Sequence, residues 1–354
     1  MDNFNFDRRK TREITLGPLK LGGNNPIRVQ SMTTPKTSNV AEVVKQILQL
    51  EEAGCEIIRV TVNDKTAAEA LPQIISQIHI PLIADIHFDY KMALLSLDHP
   101  VACVRINPGN IGDSSKTLEV IKKAKDKNVA IRIGVNSGSL EKALLKKHGH
   151  PTPQALVESA LNQIAFFEKN DFLNFKVSIK SSNVKDNFLS YYLLSQQTEA
   201  PLHVGVTEAG TKHYGTVKSS VGIGALLLQG IGDTIRVSLS TDPVEEVKTG
   251  VYLLKSLGLK NDCPEIIACP SCGRADIDVY KLAEEVERRV LGMKKNIKIA
   301  VMGCVVNGPG ESLEADIGIA GGRGEGLVYK KGKPIKKVPE KDMLEFLMNE
   351  IASM

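Results

Sequence analysis
The 354-residue chain carries its chemistry in two sets of side chains, one of thiols and one of cations. The thiol set reads Cys269-Pro270-Ser271-Cys272-Gly273-Arg274, followed further along by Met302-Gly303-Cys304-Val305-Val306-Asn307-Gly308-Pro309-Gly310-Glu311. A Cys-x-x-Cys loop offers two thiolates to one metal centre, and Cys304 supplies a third. Cubane iron–sulfur clusters usually take four thiolates. Three thiolates and a carboxylate would leave one iron with a hard, exchangeable ligand, which suits catalysis better than electron storage. Structural zinc is the competing reading. It needs a fourth ligand, and with no histidine after His213 that ligand is Cys263 or an acid. A redox disulfide at Cys269 and Cys272 would want a thioredoxin-like βαβ context, which is lacking. Cys55 and Cys103 lie within or beside apolar strand patterns and read as buried core thiols.

The cation set sits at the ends of short β-branched runs: Arg59, Arg105, Arg132, Lys180 and Arg236. Two of these runs end Ala84-Asp85-Ile86-His87 and Val104-Arg105-Ile106-Asn107, and a third carries Arg132 and Asn136. A period of two puts Asp85 with His87, and Arg105 with Asn107, on a shared face of each strand. Burying so many cations unpaired is costly, and only Asp85 and Glu208 stand at the same ends to balance them. Guanidinium forks match phosphate oxygens bidentately and stay charged, so the set reads as a polyanion pocket, with a diphosphate the better guess. Glu208, in Thr207-Glu208-Ala209-Gly210, is either a proton donor in that pocket or a salt-bridge partner for Lys212 or an arginine.

Both sets need elements to hold them. Strand patterns fall at 27–32, 56–62, 81–86, 101–106, 130–135, 175–179, 202–206 and 234–239. Helical patterns lie between them, the first capped by Ser38 and the last by Asp242-Pro243. Eight strand–helix units predict a TIM (β/α)8 barrel over residues 1–257, whose strand C-termini face the active-site mouth. A doubly wound open sheet is the runner-up, but no phosphate fingerprint follows the first strand. Beyond about residue 257 the rhythm changes to a small α/β domain, residues 258–354, holding the Cys-x-x-Cys, Cys304 and a glycine-rich hairpin. The Lys-rich stretch from Lys330 to Lys341 reads as a solvated turn.

Composition narrows the partners. Residues are 42% hydrophobic and 24% charged, with a formal net charge of +4, which argues against a dedicated nucleic-acid binder. Aromatics are 5% and tryptophan is absent, so a base-stacking platform is also disfavoured. No targeting segment or membrane span is apparent, and six cysteines are too few for a disulfide scaffold. A cytoplasmic protein is expected.

Cys-Pro-Ser-Cys-Gly-Arg, Met-Gly-Cys-Val-Val-Asn-Gly-Pro-Gly-Glu, Ala-Asp-Ile-His-Phe, Val-Arg-Ile-Asn-Pro-Gly-Asn and Thr-Glu-Ala-Gly together resemble the 4-hydroxy-3-methylbut-2-enyl diphosphate synthases of the non-mevalonate isoprenoid pathway. The resemblance spans essentially the whole chain, from Gln30-Ser31-Met32-Thr33 to the glycine hairpin, in the short two-domain form. It implies a TIM barrel followed by an iron–sulfur domain, with a 4Fe-4S cluster on Cys269, Cys272, Cys304 and Glu311. It also implies a catalytic acid at Glu208 and substrate binding by Arg59, Asp85, His87, Arg105, Asn107, Arg132, Asn136 and Lys180. The implied reaction opens 2-C-methyl-D-erythritol 2,4-cyclodiphosphate reductively, with flavodoxin or ferredoxin as electron donor, in a head-to-tail homodimer. The alternative is a zinc-stabilised phosphate-binding barrel without redox activity. A pteroate-type barrel synthase would leave the cysteine domain unexplained.

Overall fold
A computed structural model describes residues 7–354 except 108, 112, 305 and 307. The chain divides into two compact units, one ending at Leu259 and one running from Lys260 to Met354. In the first, a short hairpin, β1 (Ile14–Leu16) and β2 (Leu19–Leu21), precedes the strand–helix alternation. There follow β3 (Arg28–Met32), α1 (Val40–Glu52), β4 (Ile57–Thr61), α2 (Lys65–Ile75), β5 (Leu82–Asp85), α3 (Tyr90–Ser96), β6 (Cys103–Ile106) and α4 (Ser114–Asp126). Then come β7 (Ala130–Asn136), α5 (Lys142–His148), α6 (Pro153–Lys169), β8 (Phe175–Lys180), α7 (Val184–Ser195), β9 (His203–Val204), α8 (Lys212–Leu228), β10 (Thr234–Ile235) and α9 (Pro243–Ser256).

The eight strands from β3 to β10 are all parallel and hydrogen-bond in the order β8-β7-β6-β5-β4-β3-β10-β9. A parallel bridge between Val177 and Leu202 joins the two ends, so the sheet closes on itself as a barrel. The expected doubly wound alternative is therefore excluded. All eight anticipated strands are present, but β9 and β10 keep only two ladder residues each. Beyond them the backbone leaves the ladder and carries Glu208, Arg236 and Ser238 to the rim.

Helix starts follow side-chain capping. Asp64, Asp89, Asp113, Thr152, Asn183 and Asp242 each accept a hydrogen bond from a first-turn amide. The first helix departs from expectation: Asn39, not Ser38, is its cap and accepts from the Glu42 amide. The hairpin was not anticipated, although Ile14-Thr15-Leu16 and Leu19-Lys20-Leu21 alternate about a Gly17-Pro18 turn. Ile14, Leu16 and Leu21 pack on Ile57, Ile83, Cys103 and Ala130, residues from the N-terminal ends of four barrel strands. The hairpin thus plugs the end opposite the strand C-termini.

The second unit contains β11 (Glu265–Ala268), α10 (Val279–Val290), β12 (Lys298–Met302), α11 (Gly308–Glu314), β13 (Ile317–Gly322), β14 (Glu325–Lys330), β15 (Lys333–Pro339) and α12 (Met343–Ser353). Its sheet runs in sequence order, parallel from β11 to β13 and antiparallel from β13 to β15. The apolar faces of α10 and α12 cover it through Val286, Val290, Leu347 and Ile351. The Lys-rich stretch is not a simple turn. Only Lys331 and Gly332 reverse the chain, with φ +48° and +73°, and Lys333–Pro339 forms the edge strand. Its side chains are exposed except Val338, and lysine on a free edge discourages pairing with another chain. Among the described residues no helix is long and apolar enough to cross a membrane.

Removing the plug tests its weight. Leu16→Ala, at a fully buried position, should lower the unfolding free energy of the barrel by about 2–5 kcal/mol. A urea titration with an unchanged midpoint would show that the hairpin contributes no packing.

Candidate functional site
The strand C-termini converge on one open cavity of about 490 Å³. Its lining includes Arg59, Asp85, His87, Arg105, Asn107, Arg132, Asn136, Lys180 and Glu208, which are all the barrel site residues expected from sequence. Arg236 joins them, making five basic side chains against Asp85 and Glu208. Closing the barrel is what brings the set together, because the residues come from seven different strand ends.

Asp85 is the electrostatic centre. It is 2% exposed, and its carboxylate meets Arg105 Nη1 at 3.1 Å, Arg59 Nε at 3.4 Å and His87 Nε2 at 3.8 Å. Burial alone would raise its pKa, but Arg59 and Arg105 outweigh burial and hold it down to about 2. Arg59 is itself lowered to about 10, by burial first, with Asp85 opposing, so it stays charged at neutral pH. Arg132 donates to Ser178 Oγ from Nε and Nη2, at 3.2 and 3.0 Å. Burial and the Arg59 and Arg105 charges lower its pKa well below the usual value. With its amide oxygen turned toward Arg105, Asn136 accepts from Nη2 at 3.2 Å.

Several donors at this mouth are buried without a protein acceptor among the described residues: Arg105 Nε, Arg132 Nη1 and Arg236 Nε. Buried donors are rarely left unmet, so these favour an acceptor-rich ligand. Gly134 makes the geometry possible. A Cβ there would lie 2.7 Å from Arg105 Nε, so only glycine lets the guanidinium lie across β7.

Glu208 adopts φ +51°, in the left-handed region that costs a non-glycine residue energy. The anticipated alternative, a pair with Lys212, does not form, because Lys212 bonds Glu245 at 2.8 Å. Among the described residues no ion pair holds Glu208, and its carboxylate lines the cavity.

In the second unit, the parallel register of Ala268 with Val301 carries Cys269 and Cys304 out of adjacent strand ends. The Gly303 amide donates to Cys269 Sγ at 3.2 Å. A Cβ on Gly303 would lie 2.5 Å from Val279 Cγ2 and 2.9 Å from Ala275 Cβ, so glycine permits this approach. Cys272 is exposed, and hydrogen bonds from Arg274 lower its pKa. All six cysteines are free thiols. Cys55 and Cys103 are buried, and burial pushes their pKa values up to about 12 and about 11, as inert core thiols should be. Cys263 precedes β11 whereas Cys269 follows it, an intervening strand of roughly 13 Å at 3.3 Å per residue. That separation disfavours Cys263 as a fourth ligand beside Cys269. Glu311 lies exposed in the first turn of α11. Among the described residues no three of His, Cys, Asp and Glu gather around one point, and residues 305 and 307, next to Cys304, lie outside them. Soft thiolates at one sheet end nevertheless fit a metal–sulfur centre in kind.

The GcpE TIM-barrel domain matches residues 11–251, and the GcpE protein C-terminal domain matches residues 265–353. The chain belongs to the GcpE family. A 4-hydroxy-3-methylbut-2-en-1-yl diphosphate synthase (flavodoxin) of Clostridium perfringens is 55% identical over 349 residues, 99% of this chain and 100% of that relative. The protein of the same name from Caldanaerobacter subterraneus subsp. tengcongensis is 54% identical, over 98% of each chain. Among solved structures, type I 3-dehydroquinate dehydratase from Clostridium difficile aligns with a TM-score of 0.52 at 15% identity. That alignment covers 70% of this chain and 98% of the dehydratase, and it shows a shared fold alone.

Within this GcpE barrel, Met32, Asn110, Ser137, Thr207 and Ser238 also line the cavity and were not singled out from sequence. Ser178, which holds Arg132, was also missed. Its position two residues before Lys180 on β8 was the available signal, since period-two neighbours share the barrel interior.

Two outcomes follow. Gly134→Ala should weaken pyrophosphate binding roughly tenfold or more by displacing Arg105, with the circular dichroism spectrum unchanged. Unaltered affinity in a titration would show that Arg105 does not contact the anion. For Asp85, the folded pKa of about 2 lies below the ordinary 3.8. Its stabilisation is therefore present above about pH 4 and lost as pH falls toward 2. Asp85→Asn should flatten that acid limb in unfolding midpoints measured across this window.

Proposed function
We infer that the chain catalyses reductive ring opening of 2-C-methyl-D-erythritol 2,4-cyclodiphosphate to 4-hydroxy-3-methylbut-2-enyl diphosphate, a step of isoprenoid biosynthesis. Two electrons and a proton enter, the ring C–O bond to phosphorus-bound oxygen breaks, and a hydroxyl leaves as water. The observation that carries this reading is identity above half to synthases of that name, over 99% of the chain. The cation-lined cavity supplies the matching chemistry. A zinc-stabilised binding protein without redox activity has no support among the relatives.

The barrel residues bind and orient the substrate. Arg59, Arg105, Arg132 and Lys180 would hold the cyclic diphosphate, assisted by Asn107 and Asn136. Their charge also stabilises the anion that develops as the ring C–O bond breaks. Asp85 fixes Arg59 and Arg105 in place and, with His87, completes that side of the pocket. Glu208, on the rim, would deliver the proton to the departing hydroxyl.

Cys269, Cys272, Cys304 and Glu311 would hold a 4Fe-4S cluster. When bound, it supplies electrons singly and a Lewis-acidic iron. Flavodoxin is the electron donor this reading favours, as the names of the relatives state for them; ferredoxin is the other candidate. Free thiols suit a reducing compartment, the cytoplasm. The working form is taken to be a head-to-tail homodimer, in which the cluster domain of one chain serves the barrel of the other.

Anaerobic purification should yield protein with iron and acid-labile sulfide and a broad visible absorbance. Zinc without sulfide would overturn the cluster. Glu208→Gln should keep that iron and sulfide while turnover falls by about 10²-fold or more. Full activity would remove Glu208 from the mechanism. For the dimer, mixing a Glu208→Gln chain with a Cys272→Ser chain should restore activity, and no rescue in verified heterodimers would place both functions within one chain.

A further inference from the structure
Below the cavity a line of buried polar side chains runs into the barrel. Lys180 Nζ lies 3.3 Å from His203 Nε2, and His203 Nδ1 lies 2.8 Å from Thr234 Oγ1. Lys176 Nζ donates to the same Thr234 oxygen at 3.4 Å. His203 and Thr234 are wholly buried, and Lys176 and Lys180 are 1% and 5% exposed. Tyr191 donates its hydroxyl to the His203 backbone carbonyl at 2.7 Å, which anchors β9 at that residue. None of the expected site residues includes His203, Thr234 or Lys176.

The charges that act most on Lys180 are cationic, Arg132 from β7, Arg236 beyond β10, Arg59 from β4 and Arg105 from β6, and the carboxylates of the same cavity are Asp85 and Glu208. His203 faces Arg132, Lys180, Lys176 and Arg59. Lys180 has no carboxylate partner among the described residues, so its one polar neighbour is an imidazole. A neutral imidazole can face an amine in two ways. Its Nε2–H can donate to the Lys180 lone pair, with Nδ1 accepting from the Thr234 hydroxyl. Alternatively, an ammonium can donate to bare Nε2, with Nδ1–H donating to Thr234 Oγ1.

We propose that His203 is a positioning residue for Lys180, pairing with its amine in the free protein and, after exchanging tautomer, with the ammonium formed when the diphosphate binds, so that substrate arrives together with one proton. The inference rests on the diphosphate reading of the cavity. The added proton comes from solvent through the open mouth and ends on Lys180 Nζ; the imidazole gains one N–H and loses the other. Burial and the surrounding guanidiniums lower the pKa of Lys180 well below its usual value, and burial lowers that of His203 likewise. Lys176 is lowered to about 7, chiefly by burial, so at pH 8 it is mostly neutral and is not the proton source. Each phosphorus of a cyclic diphosphate carries one strongly acidic oxygen, so the ligand itself takes up none.

The test is anaerobic calorimetric titration of the cluster-loaded protein with the cyclodiphosphate at pH 8, in two buffers of different ionisation enthalpy. The native protein should take up about one proton on binding. His203→Gln should cut that uptake well below one and weaken binding roughly tenfold or more, with KM rising more than kcat falls. Thr234→Val keeps the volume and removes only the Nδ1 partner, so it should do the same if the histidine variant fails to fold. No uptake by the native protein, or uptake that persists in both line variants, would overturn the proposal. Absence of any binding would overturn the substrate reading and this inference with it.

Discussion
Five basic side chains crowd the C-terminal mouth of one barrel, and Asp85 is the buried carboxylate that holds two of them still. Each guanidinium there would be costly to bury alone. Arg59 and Arg105 share Asp85, Arg132 leans on the Ser178 hydroxyl, and Arg236 reaches toward Glu246 at 3.5 Å. What these partners leave over, in charge and in unmet N–H groups, is the binding capacity of the site. A polyanion completes an arrangement that the protein alone leaves electrostatically unbalanced.

The rest of the first unit serves that constraint. A closed ring of parallel strands is stiff, and it spaces side chains from neighbouring strands at about 4.8 Å. Period-two alternation turns Arg132 and Asn136, or Lys176, Ser178 and Lys180, to the same interior. Gly134 gives Arg105 room to cross β7, and the β1–β2 hairpin seals the far end with Leu16 and Leu21. Glu208 is held at a positive φ on the loop that leaves β9, as Asn128, Asp171, Ser271 and Lys331 are in other turns.

The second unit answers a different demand. Thiolates must approach one another without forming a disulfide, and the strand register brings Cys269 and Cys304 to one sheet end while Gly303 lets the loops close up. Arg274 stabilises the thiolate of exposed Cys272. The edge strand β15 keeps that small sheet from extending into another chain by facing lysines outward.

Much of this was legible in the residues alone. Alternation of β-branched runs with capped amphipathic stretches determined eight strand–helix units, and Arg or Lys at their ends determined a mouth lined by basic side chains. The motifs around Cys269, Cys272 and Cys304 pointed to the family. Short-range physics governs those features, so local sequence carries them. Other features depend on contacts between distant segments. The hairpin plug, the Asn39 cap in place of Ser38, the lysine-rich edge strand, the clearance at Gly134, and the line from Lys180 through His203 to Lys176 arise only when the ring closes or strands pair. His203 reads in sequence as one more histidine in an apolar strand. Only the closed barrel sets it between two buried lysines, because β8, β9 and β10 become neighbours through pairing rather than through sequence.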